Sequence, residues 1–508
     1  MYGENKNVTS NKTLNNIVYY FESLVLNSIN KKLEEENKVA LNKNIKVGKF
    51  LVINAIIPDG IAGLNGQTII EVRLHKNKDD YFRLDKELIE NINNSIEDSK
   101  LPIKSVLLVF GNEFTHEELS ILEMIYKEEI NYQVKVWGLD ELCKIDNKFN
   151  HFRNGDFSKV VEFLVSDLVT EALNQDNDRW KKLREERINE LKKIYSRDDL
   201  VLFLGAGVSK EAGIGDWNDL MSDLLILMIM KELEEKNINI TSEEKEFIIK
   251  KMKETNNKSP LLQSALIKSA LGETFEESLA QLLYKNINSG NGNSNLLNSI
   301  SKLCLAKDNG TGIKAIVTYN FDDLLEDNFN KHGIEYHSLY SELDYSISDK
   351  LGIYHVHGFL PRNPDKYEQL SEGLLVFSED RYHSLYNDPY SWTNITQLNF
   401  LRENTTLMIG LSLTDPNLRR LLSISNRKNK LRKYYAIMRK KDFRISMEDA
   451  NINENILKSF NNINNELHET ALEQLGINII WVENYDEISD IIDRIRDIMN
   501  ENGITDIS

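Results

Sequence analysis

Residues 200–217, LVLFLGAGVSKEAGIGDW, decide how the longer part of this chain folds. The apolar run Leu200–Leu204 predicts a buried strand, because short apolar runs that end at glycine are typical of parallel sheets. The GAG at 205–207 predicts a tight turn, and a helix is expected to begin near Ser209. Glycines at such a turn let the backbone approach a pyrophosphate, which the helix start can bind through unpaired N–H groups. They also serve tight packing of a strand against a helix, and this stretch alone leaves both interpretations open.

The rest of residues 197–508 alternates between strand-like and helical patterns. Strand-like runs are KAIVTYNF (314–321), GIYHVHG (352–358), TLMIGLSL (406–413), KYYAIMR (433–439) and INIIWVEN (477–484). Alternation of this kind predicts an α/β fold with a Rossmann-like, mainly parallel sheet covered on both faces. A helical block at about 217–310 is predicted as an inserted subdomain. The polar stretch NINSGNGNSN at 286–295 breaks it and predicts a surface loop.

Residues 1–150 predict a second, smaller α/β domain. TLNNIVYYFESLVLNSINKKLEE has apolar residues at three- and four-residue intervals and predicts an amphipathic helix. The strand-like runs after it are KFLVINAII, QTIIEVRL, SVLLVF and YQVKVWGL. Residues 151–196 are helical and heavily charged, and they are predicted to form a helical connector between the two domains.

Composition restricts the class of protein. A chain of 508 residues is too long for one ordinary hydrophobic core, which predicts more than one domain. No apolar stretch is long enough to span a bilayer, and the N-terminus lacks the pattern of a signal peptide, so a cytoplasmic location and no membrane partner are expected. Cys143 and Cys304 are the only cysteines, which excludes a disulfide framework and a four-cysteine zinc module, so no zinc is expected. A net charge of −18 argues against a surface that coats nucleic acid, although a local basic cleft for DNA stays open.

Four short motifs follow one another in the longer domain. They are GAGVSKEAGIGDW at 205–217, TYNFD at 318–322, HVHG at 355–358 and GLSL at 410–413. Each is predicted at the end of a strand, where open parallel sheets bind their ligands. In order and content the four motifs resemble those of the sirtuins, GAG-x-S-x-x-x-G-I-P-D-F, T-Q-N-I-D, -x-x-H-G and G-[ST]-S-L. The resemblance covers residues 197–508.

The resemblance implies that NAD is the substrate and assigns roles to matching residues. Asn320 would position the water that attacks the ribose carbon, and His357 would contact the ribose hydroxyls as a general base. Asp322 would accept a hydrogen bond from the nicotinamide carboxamide. The NAD-binding residues implied are Gly205, Ala206, Gly207, Ser209, Asp216, Thr318, Asp322, Gly410 and Ser412. His355 has no matching family position, and strand alternation places it on the same face as His357.

Departures from the protein-deacylating sirtuins narrow the expected activity. No paired CxxC motifs are present, Gly215 stands at the family's proline, and Asn218 stands where an arginine is usual. The chain is more similar to bacterial sirtuin-like effectors of anti-phage defence, such as those of the Thoeris type. An NAD glycohydrolase that releases nicotinamide and linear or cyclic ADP-ribose is therefore expected. Asp415, after the GLSL strand, also fits that branch but equally suits a helix N-cap.

The N-terminal domain resembles the restriction-endonuclease-like fold of the Mrr type. Glu22 lies on the first helix, Asp59 ends a strand, and Glu71 and Arg73 share one face of the next strand. Asp59 and Glu71 are candidate ligands for a divalent metal, which is expected only if this domain is an active nuclease. Arg73 replaces the family's lysine and weakens that expectation. The alternative hypothesis is thus a DNA-cleaving subunit whose sirtuin-like domain senses a nucleotide.

Partners follow from the resemblance alone. Sirtuin-like proteins of this kind are often paired with a HerA-type ATPase, so such a partner and a homo-oligomer are expected by analogy. The trigger of the activity is not indicated by any residue pattern.

Overall fold

The computed structural model describes most of the chain. The described residues are 5–47, 51–74, 78–82, 89–90, 92–93, 96, 101–154, 162–163, 165–166, 169–170, 179–215, 217–238, 241, 243–244, 246–247, 251, 260–287, 294–305, 312–347, 349–368, 370, 373, 375–377, 385–426, 434–442 and 454–497.

The chain divides into two compact units. Unit 1 comprises Met1–Gln175 together with Phe443–Thr470, and unit 2 comprises Asp176–Asp442 together with Ala471–Ser508. The predicted domain limits at residues 150 and 196 stay predictions. The assignment of 443–470 to the first unit follows from spatial proximity, which no local sequence pattern reports.

Unit 1 contains a five-stranded sheet in the order β1-β2-β3-β4-β5. Its strands are β1 (Asn42–Val47), β2 (Leu51–Ile57), β3 (Gln67–Arg73), β4 (Ile103–Phe110) and β5 (Gln133–Trp137). The pairs β1–β2 and β2–β3 are antiparallel, whereas β3–β4 and β4–β5 are parallel. The predicted smaller α/β domain is confirmed. Only β1 was not predicted, because NKNIKV is mostly polar.

Alternation along the strands gives this sheet two apolar faces. The helices of unit 1 include α1 (Asn5–Glu35), α2 (His116–Glu129), α3 (Leu139–Ile145) and α4 (Phe149–Arg153). Ile70 and Val72 of β3 pack in one cluster with Phe21 and Leu24 of α1, whereas Ile69 packs in the cluster on the other face. α2 begins at a capping box in which Thr115 and Glu118 satisfy each other's backbone N–H groups.

Unit 2 contains a seven-stranded sheet in the order β12-β11-β10-β6-β7-β9-β8. Its strands are β6 (Leu200–Leu204), β7 (Ile313–Thr318), β8 (Tyr336–Leu339), β9 (Leu351–His355), β10 (Thr405–Ile409), β11 (Tyr434–Arg439) and β12 (Ile477–Val482). All six pairings are parallel, which confirms the Rossmann-like prediction. The short edge strand β8, YHSL, was not predicted.

The strand order reverses at β6. β7 and β9 follow it on one side, and the chain then returns to place β10 on the other side. Parallel sheets bind ligands at the carboxyl ends of their strands where the order reverses. Residues 200–217, which begin with β6 and contain the GAG turn, therefore lie where a ligand crevice is expected.

Helices cover both faces of this sheet. They are α5 (Arg179–Tyr195), α6 (Gly207–Lys210), α7 (Trp217–Glu235), α8 (Pro260–Leu271), α9 (Phe275–Leu283), α10 (Asn295–Leu303), α11 (Leu324–His332), α12 (Trp392–Glu403), α13 (Pro416–Asn426) and α15 (Glu487–Arg496). The helix between α13 and α15, α14 (Glu454–Glu473), falls mostly within the residues of unit 1. No helix in the described part of the chain is long and apolar enough to cross a membrane.

Two helices pack against the sheet domain of unit 2, although they were predicted to belong to the connector and to the inserted subdomain. α5 falls within the predicted connector, yet Ile188, Leu191 and Tyr195 are buried in the core of unit 2, where the helix packs on α15 and β12. α10 falls within the predicted insertion, yet it packs against α11 and α15 in the helix layer of the sheet. The helical insertion proper is thus α7 to α9. Part of the predicted loop at 286–295, and most of 157–178, lies outside the described residues.

Candidate active site

The GAG turn after β6 packs directly on the loop after β10. The N–H of Gly205 donates to the Ile409 carbonyl at 3.0 Å, and the N–H of Gly207 donates to the Gly410 carbonyl at 3.0 Å. A Cβ at Gly207 would lie 2.7 Å from the Gly410 Cα, and one at Gly205 would lie 2.6 Å from the Gly410 oxygen. Gly410 itself has a φ of +70°, a conformation that favours glycine. Close packing of two strand ends is therefore one reason for these glycines.

The same turn keeps an open side. Ala206 and Gly207 are exposed, while Ser209, in the short helix α6, is buried. Contact of this turn with a pyrophosphate stays a prediction. Asp216, the next residue of the predicted NAD-binding set, lies outside the described residues.

Ser209, Asn320 and Asp322 form a chain of hydrogen bonds across the ends of β6 and β7. The Ser209 hydroxyl donates to Asp322 Oδ1 at 3.1 Å, and Asn320 Nδ2 donates to Ser209 Oγ at 3.1 Å. Because a hydroxyl has one hydrogen, which Ser209 gives to Asp322, the serine can only accept from Asn320. This fixes which end of the Asn320 amide faces the serine. Asn320 Oδ1, the other end, has no hydrogen-bond partner among the described residues.

The backbone at Asn320 is held by Thr318. The Asn320 N–H donates to Thr318 Oγ1 at 3.1 Å, and the Thr318 carbonyl accepts from the Val356 N–H at 3.1 Å. Thr318 is 4% exposed, so its side chain serves the Asn320 turn from within the core. Its predicted contact with NAD stays a prediction.

Asp322 is a buried carboxylate that receives hydrogen bonds from uncharged donors. It is 5% exposed, and its Oδ1 accepts from Ser209 and from the Leu324 N–H at 3.2 Å. Burial raises the pKa of Asp322 to about 6, the two hydrogen bonds lower it, and the charges of Glu326 and Asp323 raise it further. The carboxylate is therefore ionised at neutral pH although its surroundings favour the neutral form.

His357 follows β9, the neighbour of β7. It is half-buried, and its ring meets the edge of the Tyr319 ring at 4.6 Å between centroids. Burial lowers the pKa of His357, and the charge of Asp415 acts in the opposite direction. The imidazole is thus neutral at neutral pH, which is the form that can accept a proton. Gly358 next to it has a φ of +122°, which explains the glycine of the HG pair.

The loop after β10 holds Ser412 and Asp415. Ser412 is exposed and its Oγ lies 2.7 Å from the Thr414 hydroxyl oxygen. Asp415 Oδ1 accepts from the Leu418 N–H at 2.7 Å, which is the geometry of an N-cap on α13. The N-cap interpretation of Asp415 is therefore supported by a contact, whereas the role of Ser412 in NAD binding stays a prediction.

Two side-chain contacts beside the site were not predicted. Glu326, 1% exposed on α11, accepts from the Ser338 hydroxyl at 2.9 Å, and its Oε1 lies 2.7 Å from His355 Nε2. Asp323 accepts from Arg362 Nε at 2.9 Å. The sequence carries a signal for Glu326, because this acid interrupts the apolar side of a helix that also buries Leu325 and Phe329.

The helical insertion contacts this region through Tyr284 at the end of α9. Its hydroxyl donates to the Leu360 carbonyl at 2.8 Å and accepts from the Asp323 N–H at 2.9 Å. Arg362 lies over the Tyr284 ring at 5.4 Å from its centroid. One tyrosine therefore connects the insertion to the strand ends that follow β7 and β9.

In unit 1, a guanidinium contacts one of the two predicted metal ligands. Glu71 is 1% exposed, and its Oε1 lies 2.9 Å from Nη2 of Arg73 on the same strand. Asp59 is exposed, and its Oδ2 accepts from the Val39 N–H at 3.2 Å. Among the described residues, no group of three or more His, Cys, Asp or Glu side chains is arranged to hold a metal. No metal-dependent step is derived from this unit.

The parallel sheet and its polar strand ends define unit 2 as a Rossmann-like α/β unit. Residues 314–468 match the family described as a SIR2-like domain, a stretch that includes Asn320, Asp322 and His357. The chain is 34% identical over 126 residues to the NAD(+) hydrolase ThsA of Enterococcus faecium, and 30% identical over 147 residues to the NAD(+) hydrolase ThsA of Bacillus cereus (strain MSX-D12).

These matches are partial. They cover 24% and 28% of this chain, and the chain spans 26% and 27% of the two relatives. They support a SIR2-like unit related to NAD hydrolases. The Mrr-type resemblance of unit 1 and the HerA-type partner stay predictions.

Proposed function

We propose that unit 2 hydrolyses NAD to nicotinamide and ADP-ribose. The observation that carries the proposal is the hydrogen-bond chain from Asn320 through Ser209 to Asp322, which leaves Asn320 Oδ1 as an acceptor at the strand ends. An amide oxygen held in this way can orient a water molecule without adding charge to the site. The likeness to two proteins named NAD(+) hydrolase supports the choice of substrate.

The reaction needs a nucleophile, a base and stabilisation of positive charge. The oxygen of water bonds to the ribose C1′ while the C1′–N bond to nicotinamide breaks, and the bonding electrons neutralise the pyridinium nitrogen. Neutral His357 accepts the proton that the water loses. Ionised Asp322 accepts from the nicotinamide carboxamide, and its charge favours the cationic transition state.

In the cell, an enzyme of this kind depletes NAD on infection as an effector of anti-phage defence. Such an activity has to be weak in the resting protein, so assembly into a homo-oligomer or pairing with a HerA-type ATPase belongs to the same proposal. The Tyr284 contact is one route by which the helical insertion can act on the strand ends. Cyclic ADP-ribose as the product is an alternative that the assay below distinguishes.

The test is incubation of the full chain with NAD, with and without phage lysate, followed by chromatography of nicotinamide and of linear and cyclic ADP-ribose. Nicotinamide release by the wild-type protein that Asn320→Ala abolishes is the expected result. Asn330→Ala is the matched control, because Asn330 is an exposed asparagine of the same unit that contacts the Tyr336 hydroxyl. Equal turnover by Asn320→Ala and wild-type protein would contradict the proposal.

A further inference from the structure

His355 is a buried imidazole that the proposed reaction does not use. It is 1% exposed at the end of β9, and its ring lies 4.0 Å from the Phe359 ring between centroids. Its two nitrogens contact different elements: Nδ1 lies 3.3 Å from the backbone oxygen of Asn320, and Nε2 lies 2.7 Å from Glu326 Oε1. A polar side chain at this depth links the Asn320 turn to helix α11.

These contacts orient the ring of His355. The contact of Nε2 with Glu326 holds the imidazole in one orientation, as an orienting carboxylate does for other histidines. In this orientation Nδ1 faces the Asn320 carbonyl oxygen, which accepts when Nδ1 carries a hydrogen. Glu326 therefore directs the nitrogen of His355 that contacts the turn.

We infer that His355, held by Glu326, is a positioning residue that fixes the Asn320 carbonyl and thereby the direction of the Asn320 amide. This inference rests on the proposed function for its effect on turnover. The Asn320 turn has three described hydrogen-bond contacts: its N–H bonds Thr318, its side chain bonds Ser209, and its carbonyl oxygen bonds His355. Without the third contact the peptide plane after Asn320 can rotate, which moves Oδ1 away from the attacking water.

Two substitutions of His355 separate positioning from packing. Asparagine places an amide nitrogen close to the position of Nδ1 and keeps the contact with Asn320, whereas glutamine reaches the position of Nε2 and keeps the contact with Glu326. Both variants bury an amide in place of the ring. Only their choice of partner differs, so each is the matched control of the other.

We expect His355→Gln to lower kcat about tenfold to a hundredfold with little change in KM, because a small misplacement of a reacting group has effects of that size. His355→Asn should stay within about threefold of wild type. Hydrogen exchange of the peptide that contains Asn320 should be faster in His355→Gln than in His355→Asn. Two outcomes would overturn the inference. One is an equal loss of kcat in both variants that parallels their loss of melting temperature, and the other is no loss of kcat in either variant.

Glu326→Gln provides the rescue variant if the His355 variants fold poorly. Its amide keeps a polar partner for Nε2 and so keeps the orientation of the His355 ring, whereas Glu326→Leu offers no partner. Retention of kcat by Glu326→Gln and its loss in Glu326→Leu are expected, and equal losses would overturn the inference. If the wild-type chain releases no nicotinamide, the proposed function fails. The exchange comparison still decides the positioning role, because equal exchange in both His355 variants would overturn it.

Discussion

Glu71 in unit 1 and Asp322 in unit 2 are both acids buried in an α/β unit, yet they are satisfied in opposite ways. Glu71 is 1% exposed and lies 2.9 Å from the guanidinium of Arg73. Asp322 is 5% exposed and accepts hydrogen bonds from a serine hydroxyl and a backbone N–H. The first acid has a fixed cation beside it, whereas the second is stabilised by neutral donors and has two further acids nearby.

This difference separates a structural acid from one suited to a ligand. A guanidinium beside a buried carboxylate offsets its charge within the fold, as Arg73 does for Glu71. Burial without such a cation raises the pKa of Asp322 to about 6 and costs stability at neutral pH. Perturbed acids of this kind cluster at functional sites, since a ligand can supply what the fold does not. Substitutions of the two acids are therefore expected to have different effects on stability and activity.

The largest effect is expected at Asn320. Replacement by alanine removes the acceptor at Oδ1 and should lower kcat for NAD hydrolysis about a hundredfold or more, as for other groups that act on the transition state. Steady-state nicotinamide release at saturating NAD measures this. The melting temperature should change little, because Asn320 is only half-buried. A variant that loses activity only together with its fold would show that the strand ends of unit 2 are structural, like Glu71.

Glu71→Gln should lower the free energy of unfolding by about 1–3 kcal/mol, because Arg73 loses its charged partner. Arg73 is 30% exposed, so solvent compensates part of the loss. Urea unfolding measures the change, and the double variant with Arg73→Gln should recover part of it. NAD hydrolysis should be unaffected. Wild-type stability of Glu71→Gln would mean that the ion pair contributes nothing to the fold of unit 1.

Asp322→Asn should flatten the dependence of stability on pH. The folded pKa of Asp322, about 6, exceeds its ordinary value of 3.8, so the folded state binds this proton more tightly than the unfolded state does. Stability from this group is therefore greatest below about pH 4, is lost as the pH rises through about 6, and amounts to about 3 kcal/mol. Urea unfolding between pH 4 and pH 7 measures the slope, with Asp59→Asn, a change at an exposed acid, as the control. An unchanged slope in Asp322→Asn would contradict the assignment.

Asp59→Asn should have the smallest effect. Asp59 is exposed, and asparagine can accept the Val39 N–H in its place, so a change below about 0.5 kcal/mol is expected. Magnesium or EDTA should leave the melting temperature of the full chain unchanged. Stabilisation by magnesium that disappears in Asp59→Asn would show a metal site in unit 1 and would restore the nuclease hypothesis.

Much of the fold was predictable because its signals are local or periodic. The apolar runs identified ten of the twelve strands in the described part of the chain, and the glycine turn after Leu204 located the centre of the parallel sheet. Strands β1 and β8 were missed because they are short and largely polar edge strands. α5 was predicted to be part of a connector because of its many charges, but its apolar residues Ile188 and Leu191 lie at a three-residue interval and are buried.

By itself, the sequence determined the α/β class, the parallel sheet and the polar residues at its strand ends, because strand alternation and glycine turns are patterns of residues close in sequence. Only the tertiary structure decided how those residues combine. Ser209 meets Asp322 across 113 positions, and His355 meets Glu326 across 29. The orientation of the Asn320 amide depends on the hydrogen bond that Ser209 donates to Asp322, and the orientation of the His355 ring depends on a buried carboxylate. Both follow from directional hydrogen bonds in a low-dielectric interior, where a polar group has to find its partner within the fold.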